Sequence, residues 1–156
     1  KQRFGIAQAL IGNPKLIIVD EPTAGLDPTE RNRFHNLLSE IGENVIVILS
    51  THIVEDVSDL CSNMAIIKEG EVKVVGEPAV LIKNLTKQVW MGFVDKKDFK
   101  NISETHQVIS SKLSTGKVQT RVLSDSEPIT GFMEVQPEIE DLYFATINNL
   151  DTESNK

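Results

Sequence analysis

The chain has 156 residues, of which 40% are hydrophobic and 25% charged, enough to bury a core for one domain or two small ones. With 16 Lys and Arg against 23 Asp and Glu the net charge is −7, which argues against broad nucleic-acid binding, since that needs a basic face. The single cysteine, Cys61, excludes an intramolecular disulfide framework and fits a reducing compartment, and no apolar run approaches the roughly 20 residues that span a bilayer.

The first element is a helix over residues 1 to about 11, where Phe4, Ala7, Leu10 and Ile11 recur at helical spacing. Gly12 and Pro14 stop it. The chain starts on Lys1 with a stretch that reads as the inside of this helix, with no capping residue before it, so the expectation is a chain cut from something longer. "KLIIVD" reads as a strand buried on both faces, as in a covered parallel sheet. "DPTERNRFHNLLSEIG" is a helix opening near Asp27 and Pro28, with Phe34, Leu37, Leu38 and Ile41 inward. "NVIVILS" is a second buried strand, and "HIVEDVSDLC" a short helix after it. Strand, helix and strand at this spacing predict a doubly wound α/β arrangement.

The pattern then changes. "MAIIKEGEVKVVGEP" reads as a hairpin turning at "EG", and "PAVLIKNL" as a short helix. Beyond it "QVWMGFV", "THQVISSKL", "KVQTRVLS" and "FMEVQ" are strand candidates, and "PEIEDLYFATINNL" is a closing helix that starts at Pro137. The expected organisation is a first domain over 1–84, a small α+β domain over 85–150, and a polar tail over 151–156. His35 and the charges of "ERNR" at 30–33 are expected on a solvated helix face. Cys61 is expected to be a small buried hydrophobe, and Trp90 and Phe93 core of the second domain. His106 has no partner at metal-ligand spacing.

The chemistry concentrates where "LIIVDEPTAGLDP" begins, Leu16 to Pro28. An apolar strand ending in Asp20 and Glu21 puts two carboxylates at the C-terminal edge of a parallel sheet, where α/β proteins bind ligands. Carboxylates held there are costly unless a cation or a hydrogen-bond donor meets them. Mg²⁺ takes one or two carboxylates with phosphate oxygens and water, which suits Asp20, and Glu21 can orient or deprotonate an attacking water. A lone Asp-Glu pair has an ordinary reading as an acidic cap or turn, and a lone His52 one as a capping or packing residue.

"DEPTAGLDP" nevertheless resembles the stretch from the Walker B acidic pair into the D-loop of the ATP-binding cassette (ABC) family. A chance match to its eight specified residues has odds on the order of 10⁻¹⁰ per position. "KQRFGIAQALIGNPKLIIVDEP" resembles the helix that follows the family's signature, and "ILSTHIVEDVSDLCSNMAIIKEGEVKVVGEP" its switch-histidine region. Together they cover residues 1 to about 80 in the family's order. The resemblance implies that Asp20 helps to hold Mg²⁺, that Glu21 polarises the hydrolytic water and that His52 contacts the γ-phosphate of ATP. It implies that Gly25, Leu26 and Asp27 lie at the interface with a second ATPase subunit. Such parts are what phosphoryl transfer requires, positioning and charge compensation rather than covalent chemistry.

The family's phosphate loop, "GxxxxGK[ST]", matches nothing in this sequence, and neither do its glutamine loop or "LSGGQ" signature. The chain by itself is therefore expected to be almost inactive. "VQPEIEDLYFATINNL" more loosely resembles the C-terminal segment of cassettes that drive exporters, although the stretch between "KVQTRVLS" and "FMEVQ" is short for that group's usual helix. The resemblance thus implies the C-terminal part of a doubly wound P-loop ATPase from an ABC transporter, an exporter. It would lie on the cytoplasmic face of the cell membrane, pair with itself or with a homologous subunit, use ATP and Mg²⁺, and power a separate transmembrane permease. It would bind no nucleic acid and carry no membrane span of its own. The rival readings are a soluble ABC ATPase of DNA repair or translation, and a non-catalytic interaction fragment.

Overall fold

The computed structural model describes residues 2–150. The polar tail expected at 151–156 lies outside the described residues. By their contacts the residues form two compact units, Lys1–Ser62 and Asn63–Lys156, each considered by itself.

In the first unit α1 (Gln2–Ala9) ends before Gly12 and Asn13, whose φ angles of 96° and 52° are left-handed, the conformation that turns a chain out of a helix. β1 (Leu16–Asp20) leads through a loop to α2 (Pro28–Gly42), which starts where the sequence predicts. Asp27 is its N-cap and accepts a hydrogen bond from the Glu30 amide at 2.9 Å, while Pro28 fills the first turn, where no amide hydrogen is needed. β2 (Ile46–Ser50) returns parallel to β1, and α3 (Val54–Leu60) follows. The register pairs Leu16 with Ile46 and Asp20 with Ser50, so both strands end at the same edge.

One face of this two-stranded sheet packs on the helices. Ile6, Phe34 and Leu38 are the buried centre, with Leu10, Val19, Leu26, Ile41, Val47 and Leu60 around them. The other face differs from expectation. Instead of being buried on both sides, the strands alternate, and Leu16, Ile18, Ile46 and Ile48 are 47–71% exposed. The residues are apolar on both faces, but the helices of the unit cover one of them.

The second unit begins with the antiparallel hairpin β3 (Met64–Lys68) and β4 (Glu71–Gly76), turning at Glu69 and Gly70 with φ of 55° and 78°. The hairpin therefore groups by its contacts with the C-terminal residues, whereas the sequence resemblance carries it with the first half. After α4 (Pro78–Lys83) come β5 (Gln88–Asp95), α5 (Lys96–Thr105), β6 (Gln107–Ser114), β7 (Lys117–Ser124), β8 (Met133–Val135) and α6 (Ile139–Ile147). The last four strands make an antiparallel sheet in the order β6-β7-β5-β8. Val89, Ile109 and Leu123 pack with Ala145 of α6, and Val94, Val122 and Phe132 with Phe99 and Ile102 of α5.

Helix α5 stands where the sequence suggests only a connection. Its apolar anchors are Phe99 and Ile102, one turn's worth, too short a run to register as periodicity, and packing on the sheet stabilises it. Between β7 and β8 no helix forms. Trp90 is partly buried beside Val94 and Val122, but Phe93, expected in the core, is 52% exposed because successive strand residues face opposite ways.

The buried Asp141 joins α6 to the sheet. Its carboxylate accepts two bonds from the Arg121 guanidinium, at 2.7 and 2.6 Å, and one from the Glu138 amide at 2.8 Å. At the other end of α6, Lys68 Nζ donates to the Ile147 carbonyl at 2.7 Å, placing a cation on the negative end of the helix. Gly92 is required by close approach: a Cβ there would lie 2.2 Å from the Phe132 ring. Gly92→Ala is expected to lower the unfolding free energy by about 1–3 kcal/mol through overpacking, read as a fall in the urea midpoint.

Candidate functional site

The parallel register of β1 and β2 brings their last residues side by side. The Ser50 hydroxyl donates to Asp20 Oδ1, and the Glu21 amide donates to the Ser50 carbonyl at 2.8 Å. One residue past the strand, Glu21 turns sharply with φ of 45°, left-handed for a residue with a side chain. That conformation costs on the order of 1 kcal/mol or more, and such residues gather at functional sites. The turn carries the Glu21 carboxylate to the segment after β2. There Glu21 Oε1 accepts from the His52 amide at 3.0 Å and lies 2.7 Å from His52 Nδ1.

This pair contributes little to stability. The side chains are 33% and 73% exposed, and ion pairs so open to water are worth about 0–1 kcal/mol. The contact therefore does no more than offset the strain at Glu21. Its consequence is orientation. Because a carboxylate only accepts, Nδ1 of His52 is the donor, and Nε2 is the ring nitrogen left to face another group. Asp20 and the Ser50 hydroxyl supply hard oxygen donors, a set that fits Mg²⁺ held by one carboxylate with the remaining positions filled by water and phosphate oxygens. Among the described residues there is no group of three or more His, Cys, Asp and Glu arranged to hold a metal.

The loop between β1 and α2 continues through buried Pro22 and Thr23 to exposed Gly25, with φ of 74°, and then to Leu26 and Asp27. Leu26 packs towards Ile6, Phe34 and Leu38, and Asp27 caps α2. Of the residues singled out from sequence, Asp20, Glu21 and His52 thus share one sheet edge. Gly25, Leu26 and Asp27 form the loop beside them.

Behind this edge lies a buried polar cluster centred on Asp56 of α3, whose side chain is fully buried. Thr23 Oγ1 donates to Asp56 Oδ2. Asp56 Oδ1 receives Arg31 Nε at 2.9 Å, Arg31 Nη2 at 2.7 Å and His35 Nε2 at 2.9 Å. Burial pushes the Asp56 carboxyl upward. The bonds from Thr23, Arg31 and His35, with the Arg31 charge, outweigh it and hold the group below the usual carboxylate range. Two expectations are corrected here. His35 is buried rather than solvated, and Arg31 faces Asp56 rather than open solvent, with 28% of its side chain exposed. Cys61 is half-buried, and chiefly burial, then the Asp56 charge, pushes its thiol up and away from the reactive thiolate.

No protein-family model matches the chain. Individual relatives do. It is 42% identical over 77 residues to the uncharacterised ABC transporter ATP-binding protein YxlF of Bacillus subtilis (strain 168), covering 49% of this chain and 26% of that one. It is 33% identical over 115 residues to the methionine import ATP-binding protein MetN 2 of Enterococcus faecalis (strain ATCC 700802 / V583), covering 72% of this chain and 33% of that one. The chain is a homologue of ABC transporter ATP-binding proteins. A solved structure of cbiO1 from Clostridium perfringens, part of the ABC transporter complex cbiONQ, aligns with 37% identity over 53% of this chain and 34% of that one, with a TM-score of 0.48. The chain spans only part of the length of the curated relatives it matches, between 5% and 33% across eight of them.

In this ABC homologue the residues that sequence reasoning missed are Thr23, Arg31, His35 and Asp56. A signal was present: Arg31 and His35 stand four apart on α2, which sets two potential cations on one face of a helix. The Asp56 network makes a prediction about acid stability. A carboxyl whose folded pKa is depressed contributes stability in full above the ordinary carboxylate range, and loses it as pH falls through the folded value. The unfolding free energy should therefore drop on acidification below that range, and Asp56→Asn should be less stable near neutral pH with a shallower acid slope. Urea titrations at stepped pH check this.

Proposed function

We propose that this chain is part of the ATP-hydrolysing subunit of an ABC transporter. The observation that carries the reading is the Glu21–His52 pair at the shared end of two parallel strands, within "DEPTAGLDP" and "STH". In this reading Asp20 holds Mg²⁺, which would supply charge compensation on the phosphates. Glu21 orients an attacking water and draws its proton through the carboxylate that His52 steadies. His52 turns its remaining ring nitrogen to the γ-phosphate. Exposed Gly25 and Asp27 meet a second ATPase subunit, while Leu26, packed inward, holds that loop in shape. The nucleotide-binding domain extends through residue 84, and residues 85–150 are an accessory domain.

The homologous proteins named as ATP-binding support ATP as the nucleotide, and their greater length supports a phosphate loop outside these residues. The open apolar face of β1 and β2 supports the same, since an aliphatic sheet face of this kind is ordinarily covered. These 156 residues alone are then expected to hydrolyse ATP hardly at all. The proposed work is done on a separate permease from the cytoplasmic face; among the described residues no helix is long and apolar enough to cross a membrane. The resemblance of the α6 segment to exporter cassettes supports export.

In a protein that joins this chain to a phosphate loop, Glu21→Gln is expected to keep ATP binding and to lower kcat by about 10²-fold or more. Steady-state ATPase and equilibrium nucleotide-binding assays check this, and normal turnover by the variant would remove Glu21 from its proposed role.

A further inference from the structure

Two cross-links join the same pair of segments in the first unit. The outer one is Glu21 Oε1 with the His52 amide and Nδ1, at 3.0 and 2.7 Å. The inner one, two residues after Glu21 and four after His52, is Thr23 Oγ1 with Asp56 Oδ2. The outer link is exposed and weak, and cannot hold its own geometry against water and thermal motion. The inner link is different in kind. Thr23 is 2% exposed, Asp56 is fully buried, and the second carboxylate oxygen is anchored on α2 by Arg31 and His35. Charge-assisted bonds in such a setting are stronger and more directional than neutral ones in water.

We propose that Asp56 is a positioning residue for the Glu21–His52 pair, acting through Thr23 on the loop that carries Glu21 and through α3 on the segment that carries His52. The carboxylate is suited to this because it only accepts: one oxygen takes the Thr23 hydroxyl, while the other takes the N–H donors of Arg31 and His35 on α2. An amide at this place keeps one accepting oxygen for α2 and can meet Thr23 only by reversing that bond, its N–H donating to the hydroxyl, so the charge-assisted link to the loop is lost. The backbone between the two links is short on each side. At Glu21 it is also strained, with φ of 45°, so release of Thr23 lets the turn relax and takes the Glu21 carboxylate with it. The pairing of Glu21 with His52 is thus held from behind, by a group that touches neither of them. Its kinetic consequence, though not its geometry, rests on the ATP-hydrolysis reading.

The test has two arms, run on Asp56→Asn, Thr23→Val and Thr23→Ser. In the first, ¹⁵N-edited NMR of the full chain follows the His52 amide and ring nitrogens, which report the bond to Glu21 without any nucleotide. Thr23→Val and Asp56→Asn are expected to shift these resonances towards those of Glu21→Gln while unfolding stays cooperative, and Thr23→Ser to restore them. In the second arm, in a protein joining this chain to a phosphate loop, Thr23→Val is expected to lower kcat between about 10- and 100-fold, with KM for Mg-ATP within about threefold. Thr23→Ser should recover most of the rate. If Thr23→Val leaves the His52 resonances in place, the positioning role is overturned, whether or not Asp56→Asn folds. If the resonances move but Glu21→Gln turns over ATP normally, the hydrolysis reading fails and the positioning role stands.

Discussion

The arrangement of the first unit depends on the parallel, in-register pairing of β1 with β2. Because Asp20 lies opposite Ser50, both strands deliver their next residues to one edge, and chain segments 31 residues apart meet there as Glu21 and His52. A slip of a single residue would turn Val19 or Val47 away from Phe34 and Leu38, so the helical core enforces the register that the polar edge uses. The edge itself supplies little stability. It is set by burial of aliphatic side chains on the opposite side of each strand.

That division of labour explains the position of the buried charge. An unpaired carboxylate in the interior would be costly, and Asp56 is tolerated because Thr23, Arg31 and His35 converge on it from the loop and from α2. It ties three separate pieces of chain together directly behind the exposed pair. The second unit uses the same device for another purpose. Buried Asp141 meets the Arg121 guanidinium and the start of α6, which fixes a helix onto a sheet. Two similar ion pairs thus differ in consequence through what lies next to them.

Much of this was legible from residue pattern. The parallel strands, the capped start of α2 at Asp27 and Pro28, the "EG" hairpin and the closing helix follow from apolar runs bounded by Gly and Pro, signals that act over a few residues. Asp20, Glu21 and His52 could be singled out because the two motifs that contain them, "DEPTAGLDP" and "ILSTHIVEDV", are long. What pattern did not reveal depends on contacts distant in sequence. His35 and Arg31 look like surface charges on a polar helix until Asp56, 21 and 25 residues away, is placed against them. Helix α5 has too few apolar residues to announce itself, and Phe93 differs from Val94 only in the side of the strand it occupies. The aliphatic strands were read as doubly covered because composition records what a face could bury, and the described helices cover one side.

The most direct test of the account is whether Glu21 and His52 act as one unit in hydrolysis, measured as a double-mutant cycle on kcat in a protein that joins this chain to a phosphate loop. If the geometry is the working one, Glu21→Gln with His52→Ala is no more than about threefold slower than the slower single variant, since residues acting as a unit are not additive. Losses that multiply across the two sites would show that they act independently, and would contradict it.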